Sequence, residues 1–185
     1  MYLINTEEVK EPDNYSDFRT LQEWGLQTQC KLRFPSPSFA PDTTAFIADG
    51  AGFVSCLVLP ESAATSNQGA ISFSIPDTWN RGTMTCSVSY SSATSGGTYA
   101  VQCLWYTAKA GDTINSGSTS AQDTLPAISG AWVLGTHTFT AQRVVDPADT
   151  FATIRIRRLG SDGADTSTGD LCILEATITY EPSRY

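Results

Sequence analysis

The chain carries a single histidine, His137, in the run Gly135-Thr136-His137-Thr138-Phe139. As a general base, that imidazole would need a nucleophile to deprotonate and a carboxylate to orient it, and the sequence places neither beside it. One histidine is also too few for a metallohydrolase centre, which takes several imidazole ligands. Glycoside hydrolysis asks only for a pair of carboxylates. Most acids here, however, lie in the first 23 residues or in turns beside Gly and Pro, and Glu175 is the main one inside a strand pattern. Nucleophile-elbow, phosphate-loop and dinucleotide fingerprints are absent. The expectation is a protein with no catalytic residues, no cofactor and no metal.

Three groups of residues could bind rather than react. Asp162, Asp165 and Asp170 share one Gly-rich loop and have the oxygen ligands that calcium favours. Their spacing departs from that of an EF-hand, and Asp-Gly pairs form ordinary turns. Trp79, Trp105 and Trp132 offer flat apolar faces of the kind that stack on sugar rings. Trp105 belongs to a strand pattern and reads as core. Trp79, between Pro76-Asp77-Thr78 and Asn80-Arg81-Gly82, and Trp132, at the entry to a later extended run, are the candidate surface recognition residues. The five cysteines, Cys30, Cys56, Cys86, Cys103 and Cys172, lack the close spacing of a zinc site. Cys56, Cys86, Cys103 and Cys172 fall in apolar strand patterns, where a thiol packs as a small hydrophobe.

The elements that must position these groups read as strands. Met84, Cys86, Val88 and Tyr90 alternate with small polar residues, and Tyr99, Val101, Cys103 and Trp105 do so again after a Ser/Gly-rich break. Period two over that length is the pattern of half-buried strands. The register that pairs Tyr90 with Tyr99, Val88 with Val101, Cys86 with Cys103 and Met84 with Trp105 predicts a hairpin over 84–106. Cys86 and Cys103 would then be cross-strand neighbours, either bridged or packed as thiols. Residues 53–59 form a continuous apolar run, as in a strand buried on both faces. Further strands are expected near 26–34, 71–75, 132–140, 150–159 and 171–180, with a connector over 110–129. In the strand at 150–159, Arg155 and Arg157 face outward. The fold class expected is all-β, an antiparallel jelly-roll-type β-sandwich of about eight strands.

Length and charge bound the rest. At 185 residues with 16% charged residues, the chain suits one domain rich in Ser, Thr and Gly. A net charge of −8 would repel a phosphate backbone, so no nucleic acid is expected as partner. No apolar run spans a bilayer, so no membrane is expected either. Residues 1–23 hold six of the 19 acids, with Pro12 interrupting any helix, and read as an acidic N-terminal arm ahead of a β-sandwich domain at 24–185. The start has no signal-peptide pattern, which points to synthesis in a reducing cytosol.

The order of residues carries a resemblance. Ile75-Pro76-Asp77-Thr78-Trp79-Asn80-Arg81-Gly82 leads into a strand pattern, a Ser/Gly-rich tip and a Trp-bearing strand. Asp149-Thr150-Phe151 opens a strand that ends in Arg157-Arg158. Asp165-Thr166-Ser167-Thr168-Gly169-Asp170-Leu171 then runs into a last strand closing on Tyr180. Over residues 70–180 this resembles the β-sandwich virion proteins of tailed bacteriophages, a group of head-decoration and tail- or fibre-associated proteins. The resemblance implies a non-enzymatic virion component, assembled in the host cytoplasm as a homo-oligomer, with a trimer favoured. Its partners would be capsid or tail proteins, with the arm as the attachment. The alternative is a carbohydrate- or receptor-binding module that takes a host-surface glycan through Trp79 or Trp132.

Overall fold

The computed structural model describes residues 29–42, 44–50, 54–61, 67–79, 82–113 and 119–182. The acidic arm at 1–23 and its boundary with the β-domain lie outside the described residues. Among these residues, eleven strands form two antiparallel sheets of a β-sandwich: β1 (Cys30–Pro35), β2 (Ala40–Pro41), β3 (Phe46–Gly50), β4 (Val54–Leu59), β5 (Gln68–Ser74), β6 (Thr83–Ser91), β7 (Tyr99–Ala108), β8 (Thr119–Leu125), β9 (Gly135–Val144), β10 (Phe151–Arg158) and β11 (Leu171–Tyr180). The sandwich is the one expected, with eleven strands in place of about eight. The additions include the short pieces β2 and β3, and β8, which occupies part of the stretch read as a connector.

The six-stranded sheet runs β3-β4-β11-β6-β9, with β1 also on β11, and the five-stranded sheet runs β2-β5-β10-β7-β8. β11 is the hub of the first. One of its edges pairs with β6, and the other is shared, β4 taking Leu171 to Ile173 and β1 taking Glu175 to Tyr180. Alternation along β6 and β7 puts Met84, Cys86, Val88 and Tyr90 and Tyr99, Val101, Cys103 and Trp105 into the core between the sheets.

The hairpin expected over 84–106 does not form. β6 pairs with β11 and β9, whereas β7 pairs with β10 and β8, so the chain crosses from one sheet to the other at 92–98. The apolar sets still meet, but face to face across the core rather than side by side in a ladder. Cys86 and Cys103 are free thiols that hydrogen-bond to each other there. That contact, together with burial, holds the Cys103 thiol well above its ordinary value.

Residues 53–59 are buried on both faces within their described part. Leu57 and Leu59 enter the main core, while Cys56 and Val58 join Cys172 in a second small cluster on the opposite side of the sheet. Burial, followed by a hydrogen bond with Cys56, raises the Cys172 thiol.

Candidate functional site

One end of the sandwich is built from three interlocked loops, 92–98, 126–134 and 160–170. Tyr90 donates its hydroxyl to Pro126 O (3.0 Å), and Gly96 N–H donates to Ile128 O (3.1 Å). Thr98 O accepts from Thr166 N–H (2.9 Å) and Ser167 N–H (3.0 Å), while Thr98 Oγ1 donates to Ala164 O (2.7 Å). Gly97 is required where it stands. Its φ is +71°, and a Cβ there would lie 2.6 Å from Ser167 Cα.

Trp132 projects from this end. It is 41% exposed and followed by the exposed Val133 and Leu134. Its φ of 62° lies in the left-handed region, where an aromatic residue is strained. The surroundings hold it there: Trp132 N–H donates to Ser92 O at 2.7 Å, Val133 N–H to Gly130 O at 3.2 Å, and Ser91 Oγ to Val133 O at 2.9 Å. Trp79, the other candidate from the sequence, is placed differently. At 2% exposure it is part of the core, with its backbone N–H donating to Pro76 O (3.0 Å) and an isolated bridge to Pro182. The Pro76-Asp77 turn before it faces solvent, but the indole turns inward, so Trp79 offers no surface to a ligand. Trp105 is fully buried, and its Nε1 donates to Ala141 O (3.2 Å).

The 160–170 loop is organised around a residue that sequence reading passed over. Arg158 is fully buried and meets Asp165 in a two-pronged pair, Nε to Oδ2 and Nη2 to Oδ1, both 2.8 Å. Its remaining donors reach Gly169 O (2.7 Å) and Ser167 O (2.8 Å), and the guanidinium carbon lies 5.0 Å from the Tyr99 ring centre. The signal was in the period: position 158 is in phase with the inward Ile154 and Ile156. Asp162 accepts from Ala164 N–H and Gln122 Nε2, both 2.9 Å, and these bonds hold its carboxyl below the usual value. Asp170 accepts from Glu61 N–H at 3.1 Å. The three acids weighed as calcium ligands thus face three different partners, as in a loop built from turns. Among the described residues no three His, Cys, Asp or Glu side chains group as metal ligands.

His137 has a carboxylate beside it after all. Asp123 of β8, almost buried, lies 3.4 Å from His137 Nε2 across the open side of the sandwich, without hydrogen-bond alignment. Asp123 accepts from Thr140 N–H (3.2 Å) and Thr140 Oγ1 (3.1 Å), and Arg143 donates to Thr119 Oγ1 and Thr107 Oγ1, both 2.8 Å. These bonds stitch β9 to β8 and, through Thr107, to β7, and they cover two sheet edges that would otherwise be open to other strands. The Thr140 hydroxyl donates to Asp123 and not to the imidazole. At the opposite end, a cleft of about 280 Å³ is lined by Ser74, Pro76, Asp77, Pro147 and Asp149.

The outward positions of the five-stranded sheet form a further surface. Gln68, Arg157, Gln102 and Gln122 stand in one row across β5, β10, β7 and β8. In the next row Arg155 lies beside Leu104, and its guanidinium carbon is 4.9 Å from the Tyr106 ring centre.

No protein-family model and no curated protein matches the chain. Solved structures do. The Arthrobacter globiformis T6 isomalto-dextranase complexed with panose matches with a TM-score of 0.52 at 16% identity, over 80% of this chain and 23% of that one. This chain therefore spans less than a quarter of that enzyme's length. The CBM22-2 xylan-binding domain from Paenibacillus barcinonensis Xyn10C matches with a TM-score of 0.51 at 12% identity, over 80% of this chain and 98% of that domain. A bacteriophage CBA120 tailspike protein 4 domain gives a TM-score of 0.41 at 9% identity, too low to carry an argument. The likeness is one of fold. It supports a jelly-roll β-sandwich and does not single out a virion protein.

Proposed function

We propose that this protein is a non-catalytic carbohydrate-binding β-sandwich, with Trp132 as the stacking platform. The observation that carries the reading is a tryptophan held outward in a strained backbone by bonds from the loops around it. Such strain costs about 1–3 kcal/mol and persists where the surroundings over-determine it, often at ligand sites. A fixed indole gives a sugar ring an apolar face at little cost in side-chain entropy. The match over nearly the whole of a xylan-binding domain supports the reading by analogy of fold. It displaces structural decoration of a phage capsid or tail as the leading reading. In a phage particle such a module would serve as a receptor-binding element.

A glycan array followed by titration calorimetry tests the proposal. Binding to at least one neutral glycan is expected, weakened tenfold or more by Trp132→Ala, with Trp132→Phe retaining part of it. Glycan binding that Trp132→Ala leaves unchanged would remove Trp132 from the site, and no binding to any glycan would overturn the function.

A further inference from the structure

We infer that the outer face of the five-stranded sheet is a second site, separate from Trp132, and that it takes an acidic polysaccharide with its sugar carboxylates in series. The inference rests on the carbohydrate-binding reading for its class of ligand, but not for its position.

The charge distribution points there. The chain is acidic, with a net charge of −8. Yet the outward strand positions of β5, β10, β7 and β8 include Arg155 and Arg157 and no Asp or Glu. Neither arginine has a carboxylate partner among the described residues, where the ion pairs are Arg33–Glu175, His137–Asp123 and Arg158–Asp165. Two acids beside this face are each engaged by one of its glutamines. Asp42 accepts from Gln68 Nε2 (2.8 Å), and Asp162 accepts from Gln122 Nε2 (2.9 Å).

The two guanidiniums are presented rather than left loose. Arg155 lies over the Tyr106 ring, and Arg157 Nη2 donates to Gln102 Oε1. Both arginines are half-buried, which lowers the entropy lost when a ligand engages their planar forks. As residues i and i+2 of β10, their backbones stand about 6.8 Å apart along the strand, on the same face. Two cations in line along one strand suit a chain of charges better than a single anion. The amide row across Gln68, Gln102 and Gln122 supplies donors and acceptors for hydroxyls, and Leu104 with Tyr106 supplies apolar contact for the ring carbons. A planar guanidinium matches a carboxylate with two parallel bonds, so a uronate polymer is the ligand this face fits.

The test is calorimetric titration of the whole protein with hexagalacturonate, neutral galactan oligomers of equal length and polyphosphate. Hexagalacturonate should bind, and weaken as salt is raised. The Arg155→Gln/Arg157→Gln variant should lose tenfold or more of that affinity, Arg155→Lys should lose part of it, and Trp132→Ala should leave it unchanged. Circular dichroism and thermal melting would confirm that each variant is folded. Equal binding of polyphosphate would show charge attraction alone and overturn the inference, as would acid binding unaffected by the double variant or absent altogether. If neutral glycans bind through Trp132 while hexagalacturonate does not, only this second site falls. If no glycan binds, both readings fall together.

Discussion

On the outer face of the six-stranded sheet, hydroxyls stand in rows: Thr179 beside Thr85, Thr177 beside Ser87 and then Thr138, Glu175 beside Ser89 and then Thr136. Its one described ion pair, Arg33 with Glu175 at 3.7 Å, is largely exposed and adds little to stability. Across the core, the five-stranded sheet presents arginines, glutamines, a tyrosine and a leucine on strands of the same kind. Both faces alternate in period with the same buried core, so packing does not distinguish them. Short hydroxyls are a generic way to solvate a strand face, since Thr favours strands and Ser tolerates them. Planar amides and guanidiniums fixed by their neighbours are not needed for solvation. The contrast teaches that a sandwich leaves its outer positions free to differ in chemistry, and that in this one the two faces do differ.

The contrast can be broken most forcefully at the loop that borders the five-stranded sheet. Arg158→Ala should cost about 3–5 kcal/mol, because it strands a buried Asp165 carboxylate and leaves Gly169 O and Ser167 O without a donor. Denaturant unfolding would measure this, and a loss below about 1 kcal/mol would show that the loop stands without the pair. A smaller effect is expected where that loop meets the 92–98 crossing. Gly97→Ala should cost more than the roughly 1–2 kcal/mol of a left-handed residue, since its Cβ would strike the backbone of Ser167. Gly96→Ala, with φ 81° and open space around it, should cost only the backbone share. Equal losses for the two would mean the loops do not interlock as described.

The thiols test the interior that separates the two faces. Cys103 in the core and Cys172 on the six-stranded sheet are both held above the ordinary thiol value of 9.0. The folded protein therefore keeps protons that the unfolded chain gives up above that pH. Their contribution to stability is complete below pH 9 and is lost as pH rises beyond it, by at most about 1.4 kcal/mol per unit for each thiol. Unfolding free energies from pH 8 to 10.5 should fall accordingly, and a flat profile would contradict it. Smallest of all, Thr177→Val with Ser87→Ala on the hydroxyl face should shift stability by less than about 0.5 kcal/mol and leave glycan titrations unchanged. A loss of binding there would move the recognition surface to the other sheet.

Much of the fold was legible because period two reports which side chains face inward. It placed Tyr90, Cys86, Trp105 and Cys103 in the core and set Arg155 and Arg157 outside. It also brought Cys86 to Cys103, although by the wrong route. A seven-residue crossing can close a hairpin or bridge two sheets, and alternation is identical in both cases. Asp123 was missed because β8 is polar and short, so it resembled a loop until its pairing with β7 fixed it beside His137. Trp79 and Trp132 looked alike in sequence, each beside turn residues. Burial separated them, and nothing local to either residue could have done so.

By itself, the sequence determined most of the strand faces and much of the apolar core, because both depend on residue type and on spacing along the chain. The register shift between Ile173 and Glu175 of β11, which turns Cys172 away from the core that Ile178 faces, left no such mark. The tertiary structure decided which strands pair. It also decided that Arg158 and Asp165 would be spent inside one loop, that Trp132 would stand outside, and that Arg155, Arg157 and three glutamines would share one face. The reason is physical. A strand edge bonds to whichever strand meets it with matching register and buried surface, and here β6 is paired on both edges, by β11 and β9, while β7 is paired by β10 and β8. That contest is settled among residues far apart in the chain, where no local pattern records the outcome.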